Sequence, residues 1–327
     1  MWGCRIKRRI VFVLGAQHRM SKTTPSAFEC DSPFIITKKR KVDMKKIRIV
    51  ADSTCDLSPD LISKYELTII PLCIILDEKS YFDGVDITPA EIYKWSDDNK
   101  TTPKTAAIPY DKFEEKLKGF MADGDDIIFF GISEDMSSTC QAARIFAEDA
   151  EYDRMFVINS KNLSTGIGLQ VLRAAEMRDA GATAEEIVEA IEGARDLVRA
   201  SFVVDTLTFL ARGGRCKAVT ALMASALRLH PEIVVKDGKM GVGRKVRGKS
   251  AVAVMAYFDG LEAALANADT KRVFITHSGS PDEIVESVRK RLEDMDCFEE
   301  IHVTRAGGVV SSHCGPNTLG VLFYEKN

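Results

Sequence analysis

No stretch of the 327-residue chain approaches the roughly 20 consecutive apolar residues that a membrane-spanning helix requires, so stable insertion into a bilayer is not expected. The eight cysteines (Cys4, Cys30, Cys55, Cys73, Cys140, Cys216, Cys297 and Cys314) include no Cys-x-x-Cys pair. Scattered in this way, they read as reduced thiols of a cytoplasmic protein, neither a disulfide framework nor a zinc site, and no metal is expected. A G-x-x-x-x-G-K-[ST] phosphate loop, an H-E-x-x-H helix and a G-x-S-x-G elbow are all missing. Gly166-Ile167-Gly168 lacks the third glycine of a dinucleotide loop, with Val171 in its place. No pair of carboxylates stands out as acid and base. Internal repeats and low-complexity linkers are absent as well.

What remains is a chain that is 45% hydrophobic and 28% charged, with 22 glycines and 10 prolines, neither disordered nor collagen-like. Its length suits two hydrophobic cores. The net charge of −3 hides an asymmetry: residues 1–43 hold ten Lys/Arg and three Asp/Glu, and the remainder holds 35 and 45. An acidic body argues against nucleic acid as the main partner, because a phosphate backbone needs a basic face. Residues 1–43 read as an atypical basic extension outside the fold. Arg5, Lys7, Arg8 and Arg9 precede a short apolar run, Ile10 to Ala16, which resembles an export signal at its shortest. The simpler expectation is an upstream start, with the working protein beginning at Met44.

From Lys45 the chain alternates strand-like and helix-like stretches. Arg48–Ala51, Leu67–Leu76, Asp126–Ile132, Met155–Ile158, Phe202–Val204, Ile233–Val235, Val273–Thr276, Ile301–Thr304 and Leu319–Tyr324 read as strands. Ser58-Pro59-Asp60 and Thr88-Pro89 open helices, Tyr110–Met121 is a third, and Thr183 with Glu186 caps one reaching Arg199. Ser250–Ala266 reads as one apolar helix, and Ser280-Pro281 with Glu283 starts the next. Alternation of this kind predicts an α/β fold with mainly parallel sheets and flanking helices. A boundary near residue 200 gives an N-terminal α/β domain over 44–200 and a C-terminal one over 201–327.

Ligands of such folds gather at the carboxyl ends of strands. Polar segments expected there are Asp52 to Leu57, Ser133 to Thr139, Asn159-Ser160, Arg212 to Arg215 and His313 to Pro316. Ser137 and Thr139 place hydroxyls where a helix begins, which suits either an anion or simple capping. His313 could donate to the same anion or merely be solvated. Gly213 and Gly214 read as a helix C-cap, with Arg215 a surface charge.

Taken in order, these segments resemble the DegV family of bacterial fatty-acid-binding proteins. The resemblance runs from about Lys46 onward. It rests on Ile49 to Leu57 (I-V-A-D-S-T-C-D-L), Ile70-Pro71-Leu72, Tyr81-Phe82-Asp83-Gly84 before Ile87-Thr88, and Pro103-Lys104-Thr105. Ile132-Ser133 through Thr139, Ile158-Asn159-Ser160, Gly213-Gly214-Arg215, Lys245 to Lys249 and His313-Cys314-Gly315-Pro316 complete it. The resemblance implies two α/β domains with a long-chain fatty acid between them, tail in an apolar tunnel. Its carboxylate would be held by Thr105, Ser137 and His313, with Ser138, Thr139 and Gly315 as neighbours. It implies a carrier without turnover or cofactor, presenting the acid to a separate fatty acid kinase for acyl-phosphate formation and phospholipid synthesis, with Arg247 engaging that kinase. The chain departs from the family pattern at Ala106, Ala107 and Ile108, at Ser138 in place of glycine, and at Asn317. Two other readings stand beside it: a hydrolase of acyl esters using Ser137 with His313 as base, and a lipid-sensing regulatory module.

Overall fold

Short β-branched and aromatic runs build the first half of the chain, in a computed structural model that describes residues 45–220, 222 and 228–326. The expectations for residues 1–43 lie outside the described residues. In chain order come β1 (Ile47–Asp52), α1 (Pro59–Lys64), β2 (Thr68–Ile70), β3 (Cys73–Leu76), β4 (Lys79–Phe82), α2 (Pro89–Asn99), β5 (Lys104–Ala106) and α3 (Tyr110–Asp123). β6 (Asp126–Gly131), α4 (Thr139–Asp149), β7 (Met155–Asn159), α5 (Thr165–Asp179) and α6 (Ala184–Ala194) follow. The second half holds β8 (Val198–Val203), α7 (Thr208–Gly213), α8 (Lys217–Thr220), β9 (Leu229–Lys236), β10 (Lys239–Arg247), α9 (Ser250–Asp259) and α10 (Glu262–Leu265). It ends with β11 (Ala268–His277), α11 (Asp282–Asp294), β12 (Glu300–Arg305), α12 (Gly308–Cys314) and β13 (Leu319–Glu325). No described helix is long and apolar enough to cross a membrane.

The architecture is mixed α/β. β2-β1-β6-β7 form a parallel sheet, as expected, with a small antiparallel sheet β4-β3-β5 beside it. The second large sheet, β10-β9-β8-β13-β11-β12, corrects the expectation of mainly parallel pairing throughout. Only β11 and β12 pair in parallel there, joined by the α11 crossover; β10/β9, β9/β8, β8/β13 and β13/β11 are antiparallel. Three other expectations shift. The run Leu67–Leu76 splits at Pro71-Leu72, because proline has no N–H to give a ladder. The helix expected to reach Arg199 ends at Ala194, and Val198 to Val203 go to β8 instead. The apolar stretch 250–266 breaks at Gly260-Leu261 into α9 and α10. Ser280 does not cap α11; its hydroxyl donates to Thr318 O.

Strand alternation distributes the core. On the parallel sheet, Val50, Ile127 and Phe129 face the helices α2 to α4 and the small sheet, and Ile49, Ala51, Ile128 and Phe130 face α5. On the mixed sheet, Phe274 and Leu322 turn toward α5, and Val273, Ile275, Val321 and Phe323 turn toward α9 and α11. Helix α5 therefore lies between two sheets and is buried all round from Thr165 to Leu172, with its charged residues confined to the later turns.

One further contact positions α12. The amides of Gly307 and Gly308 donate to the buried carboxylates Asp56 (2.7 Å) and Asp83 (2.6 Å), and Ser164 Oγ also donates to Asp56 (2.5 Å). Burial raises the Asp56 carboxyl to about 8, against the relief its hydrogen bonds give. The folded chain thus keeps a proton that the unfolded chain releases near pH 4, and stability falls as pH rises across that window. Asp56→Asn, isosteric with the neutral acid, is expected to flatten this slope by up to about 1.4 kcal/mol per pH unit. Urea unfolding of both proteins at pH 5 and pH 8 checks this; identical pH dependence would refute it.

Candidate functional site

Chain connections leave β1 and β6 in opposite directions across the parallel sheet, so a crevice opens at their carboxyl ends. Asp52, at the end of β1, is wholly buried and accepts from Thr54 N (2.9 Å), Thr54 Oγ1 (2.5 Å) and Ile132 N (2.7 Å). Burial lifts its carboxyl to about 6, with these donors pulling the other way. The last of the three bonds fixes where the chain leaves β6. The segment that follows, Ile132 to Ser138, carries the hydroxyls ahead of α4. Ser137 Oγ accepts from Thr139 N (3.3 Å) and shares a hydrogen bond with Thr139 Oγ1 (2.9 Å).

Two other elements bring side chains to the same crevice. Strand β5, at the edge of the small sheet and paired to β3, presents Thr105. Helix α12 presents His313 from its last turn. Thr105 Oγ1 and His313 Nε2 lie 2.8 Å apart and share a hydrogen bond, although 208 residues separate them. The other ring nitrogen, Nδ1, is shut off from solvent without a partner and faces Gly213, where an added Cβ would come within 2.5 Å of it. Burial, and secondarily the nearby Arg215 charge, push the His313 imidazole down to about 4. The ring is therefore neutral at pH 7.

These groups line a cavity of about 240 Å³. Leu72, Ile132, Leu163, Met240 and Val309 supply much of its apolar wall, and Thr105, Ser137, Ser138, Arg215 and His313 its polar groups. A second cavity of about 20 Å³, room for about one water, shares Leu163, Val310 and Cys314 with the first. Of the residues singled out in the sequence, Thr105, Ser137, Ser138 and His313 meet here. Thr139 is buried beneath Ser137 and does not reach the cavity. Gly315 has φ +78° and packs on Phe209, away from the wall. Arg247, at the end of β10, is exposed and not part of the lining.

Arg215 is the polar residue the sequence concealed. It is exposed, as a surface charge would be, yet it borders the cavity with its guanidinium donating to Gly213 O (2.8 Å) and Met136 O (3.4 Å). Gly213 ends α7 and Gly214, at φ +69°, caps it, as expected. That turn places Arg215 at the rim of the cavity. Asn317 also finds its reason: at φ +57° the position suits glycine or asparagine, and its amide donates to Asp205 Oδ2 (3.2 Å).

The family model described as "Uncharacterised protein, DegV family" matches residues 46–326. The chain belongs to the DegV family. A DegV domain-containing protein of Clostridium perfringens is 33% identical over 285 residues, 86% of this chain and all of that one. Among solved structures, a fatty-acid-binding DegV family protein from Thermus thermophilus is similar at TM-score 0.79 and 29% identity, covering 86% of this chain and all of its own. A stearic-acid-binding protein from Eubacterium ventriosum is similar at TM-score 0.74 and 27% identity, covering 86% and 99%.

Within this DegV fold, Gly213 is the residue on which the imidazole's placement turns. Gly213→Ala is expected to push His313 off Thr105, since the added methyl would take space that the imidazole fills. In nuclear magnetic resonance titrations the His313 ring should then titrate nearer the ordinary histidine range. An unchanged titration would show that the ring tolerates the added carbon.

Proposed function

We propose that this protein binds one long-chain fatty acid in the cavity, between an N-terminal domain (44–200) and a C-terminal domain (201–327), and presents its carboxylate to a separate kinase. The observation that carries the reading is the make-up of one cavity wall: apolar side chains interrupted by Thr105, Ser137, Ser138, His313 and Arg215. An apolar tail gains about 0.8 kcal/mol per buried methylene, which must exceed an association cost of several kcal/mol, so the tail supplies most of the affinity. In this reading the tail runs toward Val310 and Cys314, where the second cavity begins. Hydroxyls, a neutral imidazole and one guanidinium hold the head by charge-assisted hydrogen bonds, without burying a permanent ion pair.

The carrier reading fits the hydrogen bonding better than a hydrolase does. A serine nucleophile needs its base within hydrogen-bond reach. Here His313 Nε2 is engaged by Thr105 and Ser137 Oγ by Thr139. The kinase role rests on the motif resemblance, with Arg247 exposed on β10 as its point of engagement and the cytoplasm as its place.

Native mass spectrometry of the purified protein, followed by extraction of the ligand, tests the reading. A bound long-chain acid is expected, and His313→Ala or Ser137→Ala should weaken its affinity about tenfold or more, the worth of a hydrogen bond to a charged group. Absence of lipid in every preparation, with no uptake of added fatty acid, would sink it. Arg247→Ala should leave fatty-acid affinity unchanged and slow phosphorylation by the kinase; equal rates in both proteins would remove Arg247 from that role.

A further inference from the structure

We propose that the open vestibule beside the cavity is the seat of a phosphate carried on the ligand's own carboxylate, and that Lys217 and Lys239 hold it. The inference rests on the fatty-acid reading above and adds to it the place and residues for the phosphorylated head. The vestibule, about 730 Å³ among the described residues, shares Met136, Arg215 and Met240 with the cavity, so the two spaces meet along that rim. Its wall adds Lys217, from α8, and Lys239, from the first position of β10, against the single carboxylate of Asp135. Three cations thus face one anion just outside the head-group hydroxyls. Lys239 Nζ lies 3.5 Å from Asp135 Oδ1, with side chains 72% and 43% exposed, a solvated pairing that an incoming dianion can displace.

The position of Lys239 is built in. The β9–β10 turn runs through Asp237 (φ +50°) and Gly238 (φ +79°), and the buried Ser133 hydroxyl donates to Gly238 O (2.7 Å). The turn that carries Lys239 is therefore tied to the segment that carries Ser137.

The chemistry requires such a place. A carboxylate oxygen attacks the terminal phosphorus of a nucleoside triphosphate. A new P–O bond forms, the bond from that phosphorus to the bridging oxygen breaks, and its electron pair leaves with the nucleoside diphosphate. No proton changes hands, and the ligand's head passes from one negative charge to two. The groups that suffice for a carboxylate must then be supplemented by further positive charge, on the open side from which the donor approaches. Lysines suit this task, as mobile point charges that hold a phosphate without fixing its orientation.

The test compares the full chain with its Lys217→Ala/Lys239→Ala variant, both changes lying on exposed side chains. Isothermal titration calorimetry would use palmitic acid, hexadecyl phosphate as a hydrolysis-resistant analogue of the phosphorylated head, and adenosine triphosphate alone. The variant is expected to lose about tenfold or more for hexadecyl phosphate while palmitic acid stays within about twofold. Raised salt should weaken hexadecyl phosphate more in the parent than in the variant. Equal hexadecyl phosphate affinity in the two proteins would overturn the inference and leave the fatty-acid reading standing. Parallel loss of both ligands would also overturn it, as would lysine-dependent binding of adenosine triphosphate alone, which would make the vestibule a nucleotide site. Failure of palmitic acid to bind the parent would strike the fatty-acid reading itself.

Discussion

Two backbone amides, those of Gly307 and Gly308, point into a buried cluster of carboxylates formed near the other end of the chain. Asp56 and Asp83 receive them across sequence separations of 251 and 225 residues. The backbone approaches these neighbours closely at both glycines. A Cβ on Gly307 would lie 3.2 Å from both carboxylates, and one on Gly308 would strike Ile74 at 2.6 Å and Ile92 at 2.9 Å. This close approach fixes where α12 starts, and one and a half turns later it delivers His313 against Thr105. Asp52 does the same work for the segment bearing Ser137. The site's donors are therefore set by acids that never touch the cavity, and burial raises the pKa of all three while the hydrogen bonds they accept pull the other way.

In the fatty-acid reading the cavity divides binding between two kinds of force. Apolar wall supplies free energy in proportion to area, without direction, and a few polar groups supply orientation. A neutral imidazole is suited to this arrangement. It can share a hydrogen bond without the desolvation cost of a buried cation, and Arg215 contributes charge from the solvent side, where that cost is small.

Much of this was legible in the residues. Short β-branched and apolar runs located β1, β6, β11 and β13, and the Thr183/Glu186 capping box formed as expected. What the sequence withheld depended on partners distant in the chain. Val198 and its neighbours follow a helical stretch, but the β-branched and aromatic side chains among them pack better in a sheet once β13 offers a ladder. Antiparallel pairing in the second sheet could not be read from strand order, because alternation looks the same in either direction. Arg215 read as a surface charge because only the turn at Gly214 brings it to the cavity rim, and the buried bonds of Asp56 and Asp83 were not visible because their partners are amides hundreds of residues away. Thr105, Ser137 and His313 were visible through motif order, which records such distant meetings indirectly.

Strand β13 lies between β8 and β11, in the interior of its sheet, although it is made after every other strand of that sheet. During synthesis the sheet therefore stays divided, with β8, β9 and β10 on one side of a gap and β11 and β12 on the other, until residues 319–325 leave the ribosome. Helix α12 emerges only just before them. The nascent chain can complete its parallel sheet early, with Thr105 and Ser137 already made, but His313 and the last strand of the second core arrive together, so the cavity wall is finished only when that core closes.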